Sequence, residues 1–121
     1  AAMDRHPDKF AKRIFSDAEI TAAKESSNQA SYFAKRFAVK EALYKALSNS
    51  GVPGCGWREA ETLSAANGAP TVNLTGRCKT ALEAMTPDGY KASLSLSLSD
   101  EPPYALAFIV ISAVPAEWIK P

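Results

Sequence analysis

Histidine is nearly absent from this chain, with His6 the only one in 121 residues, and cysteine is scarce, with Cys55 and Cys78 alone. The two cysteines stand far apart, without a CxxC pair or a neighbouring histidine pair, so a zinc site is not expected and free thiols in a reducing compartment are. No apolar run approaches the roughly 20 residues of a membrane span. Nor does an apolar segment of the signal-peptide kind follow Ala1-Ala-Met-Asp-Arg5. A cytoplasmic protein without a membrane partner is expected. Net charge is lacking as well: the formal value is +1, so bulk electrostatics do not draw the chain onto nucleic acid or an anionic surface. Repeats and linkers are missing, which leaves one domain over 1–121, with 46% hydrophobic residues for a core.

What is present is unevenly placed. Arg5, Lys9, Lys12, Arg13, Lys24, Lys35, Arg36, Lys40 and Lys45 crowd the first half. Phe33 to Leu47 reads as a helix. At about 100° per residue, Phe37, Tyr44, Leu47, Leu43 and Val39 fall on one arc with Phe33. Arg36 and Lys40 lie inside that apolar arc, and Glu41 and Lys45 flank its other edge. A charge is costly to bury without a partner, so one reading is that this helix meets an anion or a metal. The other is that the cationic stems snorkel along apolar surface while Glu41 and Lys45 form a routine helical ion pair. Geometry alone leaves both open.

Around this helix the order is helices, hairpin, helix, hairpin. Residues 7 to 14 read as a short helix, and Ser16-Asp-Ala-Glu19 has capping-box spacing for a second from Asp17 to about Lys24. Glu25 to Ala30 reads as a polar turn. The long helix stops near Ser48-Asn-Ser-Gly51. Trp57 to Leu63 and Thr71 to Leu74 read as a hairpin through Ala66-Asn-Gly-Ala-Pro70, and Lys79 to Met85 as a helix. Ser93-Leu-Ser-Leu-Ser-Leu-Ser99 alternates strictly, one face leucine and the other serine. The serine face is either a polar solvent face or a wall of hydroxyls beside a ligand. Asp100 to Pro103 turns the chain into Tyr104 to Ser112, an apolar run typical of a central strand, and Ala113 to Pro121 reads as a loose tail. The expected class is α+β, helices packed on one face of a mostly antiparallel sheet.

Several segments then match one pattern: Phe10-Ala-Lys-Arg-Ile14 before Ser16-Asp-Ala-Glu19, Arg36-Phe-Ala-Val-Lys-Glu-Ala42 with Lys45, the Asn67-Gly-Ala-Pro70 turn, and Ser97-Leu-Ser-Asp-Glu101 followed by Tyr104-Ala. In that order and spacing they resemble holo-acyl-carrier-protein synthase, the small type of 4′-phosphopantetheinyl transferase, over nearly the whole chain. The resemblance implies transfer of the 4′-phosphopantetheine arm of coenzyme A to a serine of an acyl carrier protein, with release of 3′,5′-ADP, in fatty acid or polyketide biosynthesis. It implies Glu41 as a ligand of a catalytic Mg2+ and Lys45 as a contact of the same phosphates, these two being the catalytic pair. Arg36 and Lys40 would anchor the nucleotide's phosphates or the site's architecture. Tyr44, Ser95, Ser97 and Asp100 would line the coenzyme site. Met3, Arg5, Lys9, Phe10 and Arg13 would dock the acidic carrier protein, where charge mainly speeds encounter. The serine's proton would pass to a metal-bound water or to a nearby carboxylate. A homotrimer with sites between subunits is implied too.

Two departures stand out. The family opens with a strand bearing a G-x-D motif, whose aspartate is the second metal ligand. No segment here has it, and the strand is expected upstream of Ala1. Many members carry histidines where Ser95 and Asp100 stand, which unsettles one nucleotide contact. His6 reads as a surface residue rather than a base. The rival functions are a non-catalytic carrier-protein or coenzyme A binding module and, more distantly, an RNA-associated domain. The last lacks the aromatic strand platform it needs.

Overall fold

The computed structural model describes residues 7–101 and 104–119. Three helices open it. Helix α1 (Pro7–Ile14) ends against Phe15, which is buried and packs with Ala11 and Ile14. Helix α2 (Asp17–Lys24) starts with the expected capping box: the Ser16 hydroxyl accepts from the Glu19 amide, and the Glu19 carboxylate accepts from the Ser16 amide. Helix α3 (Gln29–Ala46) begins earlier than the apolar period suggests. The polar stretch expected to be all turn ends instead at Asn28, whose side chain accepts from the Ser31 amide at 3.0 Å and so satisfies one orphan donor of the first turn.

After α3 a short 3-10 turn (Ser48–Ser50) leads to Gly51, which adopts φ 80°. Trp57 to Glu59 form a second 3-10 turn rather than the start of a strand. The Glu59 carboxylate reaches back to the Gly56 amide at 2.9 Å, and that bond curls the backbone before strand β1 (Ala60–Ser64) begins. Strand β2 (Pro70–Leu74) pairs antiparallel with β1, from Ala60 opposite Leu74 to Ser64 opposite Pro70. Helix α4 (Gly76–Met85) starts ahead of its predicted Lys79. Its first residue has φ 56°, and a Cβ there would collide with the Glu59 carboxylate, so only glycine fits. That carboxylate also accepts from the Arg77 amide at 3.2 Å, close to the positive end of the helix.

Strands β3 (Tyr90–Glu101) and β4 (Tyr104–Pro115) form a long antiparallel hairpin. The Asp100 to Pro103 turn is shorter than expected, since pairing runs through Glu101, and 102–103 lie outside the described residues. The segment expected to be a loose tail is largely held: Ala113 to Pro115 belong to β4, and the Ala116 amide donates to the Gly89 carbonyl at 2.8 Å.

Alternation decides how the hairpin sits. Leu94, Leu96 and Leu98 of β3, with Ala107 and Ile109 of β4, pack on Val39 and Leu43 of α3. Burying a leucine such as Leu43 in full contributes about 1.5–3 kcal/mol. A second cluster gathers Leu47, Cys78 and Ala81, with Val52, Leu82 and Ile111 against it. The fold is therefore α+β with helices on the inner face, as the pattern predicted. One element departs from expectation: β4 is not a central strand. Among the described residues it pairs only with β3, and Tyr104, Leu106, Phe108 and Val110 are exposed on its outer face.

Candidate functional site

The motif on α3 divides sharply in space. Lys40 is buried, and its ammonium donates to Glu19 Oε1 at 2.8 Å, the Trp57 carbonyl at 2.9 Å and the Ala60 carbonyl at 2.6 Å. All three of its N–H donors are consumed. Glu19 is equally buried and accepts in addition from the Ser16 amide at 2.9 Å and the Thr62 amide at 3.0 Å. One ion pair thus knots α2, α3, the Trp57 turn and β1. Burial holds the Lys40 ammonium below the usual lysine range, an effect that its hydrogen bond to Glu19 partly offsets. Of the two roles the resemblance leaves to Lys40, its geometry is the architectural one. No donor remains for a phosphate.

Arg36 is also buried, but differently. Its guanidinium stacks over the Tyr32 ring, 3.7 Å from the centroid, and its buried Nε has no hydrogen-bond partner. Glu41 and Lys45 point away from that buried face and are exposed, and Tyr44, one turn on from Lys40, is exposed too. Glu41 and Lys45 stand one turn apart on the same side of the helix. Beside them Phe37 and Tyr44 both stack on Trp57, at centroid distances of 5.3 and 5.9 Å. The Trp57 carbonyl is held by Lys40, so the buried knot anchors the backbone of the residue on which Phe37 and Tyr44 stack.

An exposed carboxylate with a lysine one turn on suits magnesium, which binds through one or two carboxylates together with substrate phosphates. Among the described residues no cluster of three His, Cys, Asp or Glu side chains could hold a metal.

Within one chain, Ser95 and Ser97 do not join this group. Ser95 and Ser97 are exposed on β3. Because the leucines between them face α3, the serines must face the opposite side of the hairpin. There they pair across the strands with Val110 and Phe108. Asp100 is in β3, opposite Ala105. On α1, Lys9 and Arg13 are exposed, and Phe10 packs on the Ala11, Ile14 and Phe15 cluster. Met3, Arg5 and His6 lie outside the described residues. Sequence reasoning missed two contributors. Glu19 was legible as a cap but not as the counter-ion of Lys40, and Trp57 read as a strand residue rather than an aromatic wall.

Among the described residues no helix is long and apolar enough to cross a membrane. Residues 1–108 match the family described as the 4'-phosphopantetheinyl transferase superfamily. The chain is 41% identical over 115 residues to holo-[acyl-carrier-protein] synthase of Methylorubrum extorquens (strain PA1), covering 95% of this chain and 85% of the relative. To the Rhodopseudomonas palustris (strain ATCC BAA-98 / CGA009) synthase it is 45% identical over 118 residues, covering 94% and 81%. Among solved structures, the Neisseria meningitidis holo-[acyl-carrier-protein] synthase superposes with TM-score 0.75 at 32% identity, covering 91% of this chain and 85% of that one. The Helicobacter pylori synthase in complex with coenzyme A gives TM-score 0.70 at 28% identity, covering 92% and 88%.

Proposed function

This chain belongs to the 4'-phosphopantetheinyl transferase superfamily as an enzyme of the holo-[acyl-carrier-protein] synthase kind, and from that premise we propose how its residues share the work. The acceptor is a serine hydroxyl of an apo acyl carrier protein. Its oxygen bonds to the coenzyme A phosphorus that carries the pantetheine arm. The bond from that phosphorus to the oxygen bridging the pyrophosphate breaks, 3',5'-ADP leaves, and the serine proton goes to solvent.

The observation that carries this reading is the exposed Glu41 and Lys45 pair beside the Phe37–Trp57–Tyr44 stack. Glu41 would hold Mg2+, which supplies charge neutralisation at the pyrophosphate when bound. Lys45 places a fixed cation against the same phosphates as negative charge builds on the leaving oxygen. Arg36, buried with an unpartnered Nε, orients a phosphate or the Tyr32 ring beneath it. Tyr44 and Trp57 wall the coenzyme on one side. Lys9 and Arg13, with Phe10 between them, offer a basic, partly apolar docking edge for an acidic carrier, together with Met3 and Arg5.

The whole of 1–121 acts as one domain, in the cytoplasm, on carriers of fatty acid or polyketide synthesis. Ser95, Ser97 and Asp100 reach the coenzyme from another copy, in a homotrimer. That reading is supported by the outer face of the hairpin, where the exposed Tyr104, Leu106, Phe108 and Val110 line up beside the serine row. A contiguous apolar face of this kind marks an interface. Phe108→Asp should turn a trimer into a monomer in sedimentation; a wild-type chain that sedimented as a monomer would overturn the shared site.

The activity itself is tested by incubating the protein with apo carrier protein, coenzyme A and Mg2+ and weighing the carrier. A pantetheine adduct is expected. Coenzyme A binding in a calorimeter without any adduct would make the chain a binding module instead.

A further inference from the structure

We propose that Cys55 and Cys78 form a reversible intramolecular disulfide, an oxidative modification site that fastens the segment before Trp57 to helix α4. They are the two cysteines of the chain, and both are free. Both pack around Leu47, Cys78 at 4% exposure and Cys55 half-buried against it. The Cys78 thiol donates to the carbonyl of Gly56, the residue next to Cys55, with Sγ at 3.8 Å.

The backbone around the pair is already tied together. Arg77 Nη1 donates to the Pro53 carbonyl at 3.0 Å, and Glu59 Oε1 accepts from both the Gly56 and Arg77 amides, at 2.9 and 3.2 Å. Closing a disulfide requires the sulphurs to approach to about 2.05 Å from backbones already close. The bonds from the Cys78 thiol to the Gly56 carbonyl and from Arg77 to the Pro53 carbonyl hold the two cysteine-bearing segments side by side.

Exposure sets the order of events. Cys55 lines a cleft of about 170 Å³ that is open to solvent, with Tyr44, Ser48 and Pro53, so an oxidant meets it first. Cys78 is buried, and its thiol is pushed up to about 12 by that burial first and then by its hydrogen bond with Cys55. With hydrogen peroxide as oxidant, the Cys55 sulphur takes one oxygen, giving a sulfenic acid and one water. The Cys78 sulphur then bonds to the Cys55 sulphur, the S–O bond breaks, and the hydroxyl leaves as a second water with the Cys78 proton. Two thiols lose two electrons and two protons, and the peroxide is reduced. Neither cysteine is given a part in the transfer chemistry, although Cys55 shares its cleft with Tyr44 and stands two residues before Trp57.

The test is a thiol count on the full chain, independent of any transfer assay. The protein is treated with stoichiometric hydrogen peroxide, denatured, alkylated and weighed. Alkylatable thiols should fall from two to none, the mass should drop by two hydrogens, and a cross-linked peptide should join Cys55 to Cys78. Dithiothreitol should restore both thiols. The proposal is overturned if Cys78 remains alkylatable while Cys55 carries added oxygen, or if the bond joins two chains. In Cys55→Ser the Cys78 thiol should survive peroxide; its loss there would place the oxidation on Cys78 alone and overturn the pairing.

Discussion

Lys40 and Glu41 are neighbours in the chain and opposites in the fold. Lys40 is 2% exposed, with every donor spent on Glu19 and two carbonyls. Glu41 is exposed, one turn from Lys45 and beside an aromatic stack. The difference teaches that a sequence motif rich in charge need not be all chemistry. One residue of the helix repeat, about 100° of rotation, separates a charge that assembles four elements from one that is exposed to meet a substrate. The two sides are also coupled, since Lys40 holds the carbonyl of the very tryptophan that walls the exposed side.

The comparison breaks most visibly on the buried side. Lys40→Met leaves the Glu19 carboxylate without its counter-ion, and removing one partner of a buried pair costs about 3–5 kcal/mol. Urea denaturation should show that loss. Adding Glu19→Gln to Lys40→Met should recover part of it, because the buried charge is gone and the single amide oxygen keeps one of the two bonds that Glu19 accepts, from the Ser16 amide at Oε1 or the Thr62 amide at Oε2. If Lys40→Met unfolded at the wild-type midpoint, the knot would not be structural.

A smaller effect is expected where Glu59 braces α4. Gly76→Ala forces a side chain into a left-handed backbone and against that carboxylate, a strain of about 1–3 kcal/mol, to be read from the same denaturation curves. The smallest effect is one of pH. Hydrogen bonds from the Gly56 amide first, and then from the Arg77 and Cys78 amides, hold the Glu59 carboxyl below its ordinary 4.5. A carboxyl whose pKa is lowered on folding contributes stability above the unfolded value and loses it as pH falls through the folded one. Stability should therefore decline below pH 4.5, and Glu59→Gln should flatten that part of the slope. An unchanged slope would remove Glu59 from the account.

How much of this was legible depends on whether the signal was local. The helix starting at Asp17 was readable because Ser16 and Glu19 satisfy each other's backbone within one turn. The Ser/Leu strand was readable because alternation is itself the geometry of a half-buried strand. The odd placement of Lys40 inside an apolar arc was readable too. Its partner was not, since Glu19 lies 21 residues earlier and already had a local use as a cap. The start of α3 was hidden because Gln29, Ala30 and Ser31 carry no apolar period, only the cap at Asn28. The apolar run of β4 suggested a buried central strand, yet one of its faces is exposed in the single chain. Apolar character states that a surface will be covered, not whether the cover comes from the same chain.

The most direct test of the division between the two neighbours is Glu41→Gln, followed by carrier-adduct formation and thermal melting on the same preparation. The account predicts an adduct rate lower by about 10²–10³-fold, the scale of losing one fixed electrostatic contact to a transition state. It also predicts a melting temperature within the small range expected of an exposed substitution. A variant that kept full transfer activity, or one that lost activity only because it unfolded, would contradict it.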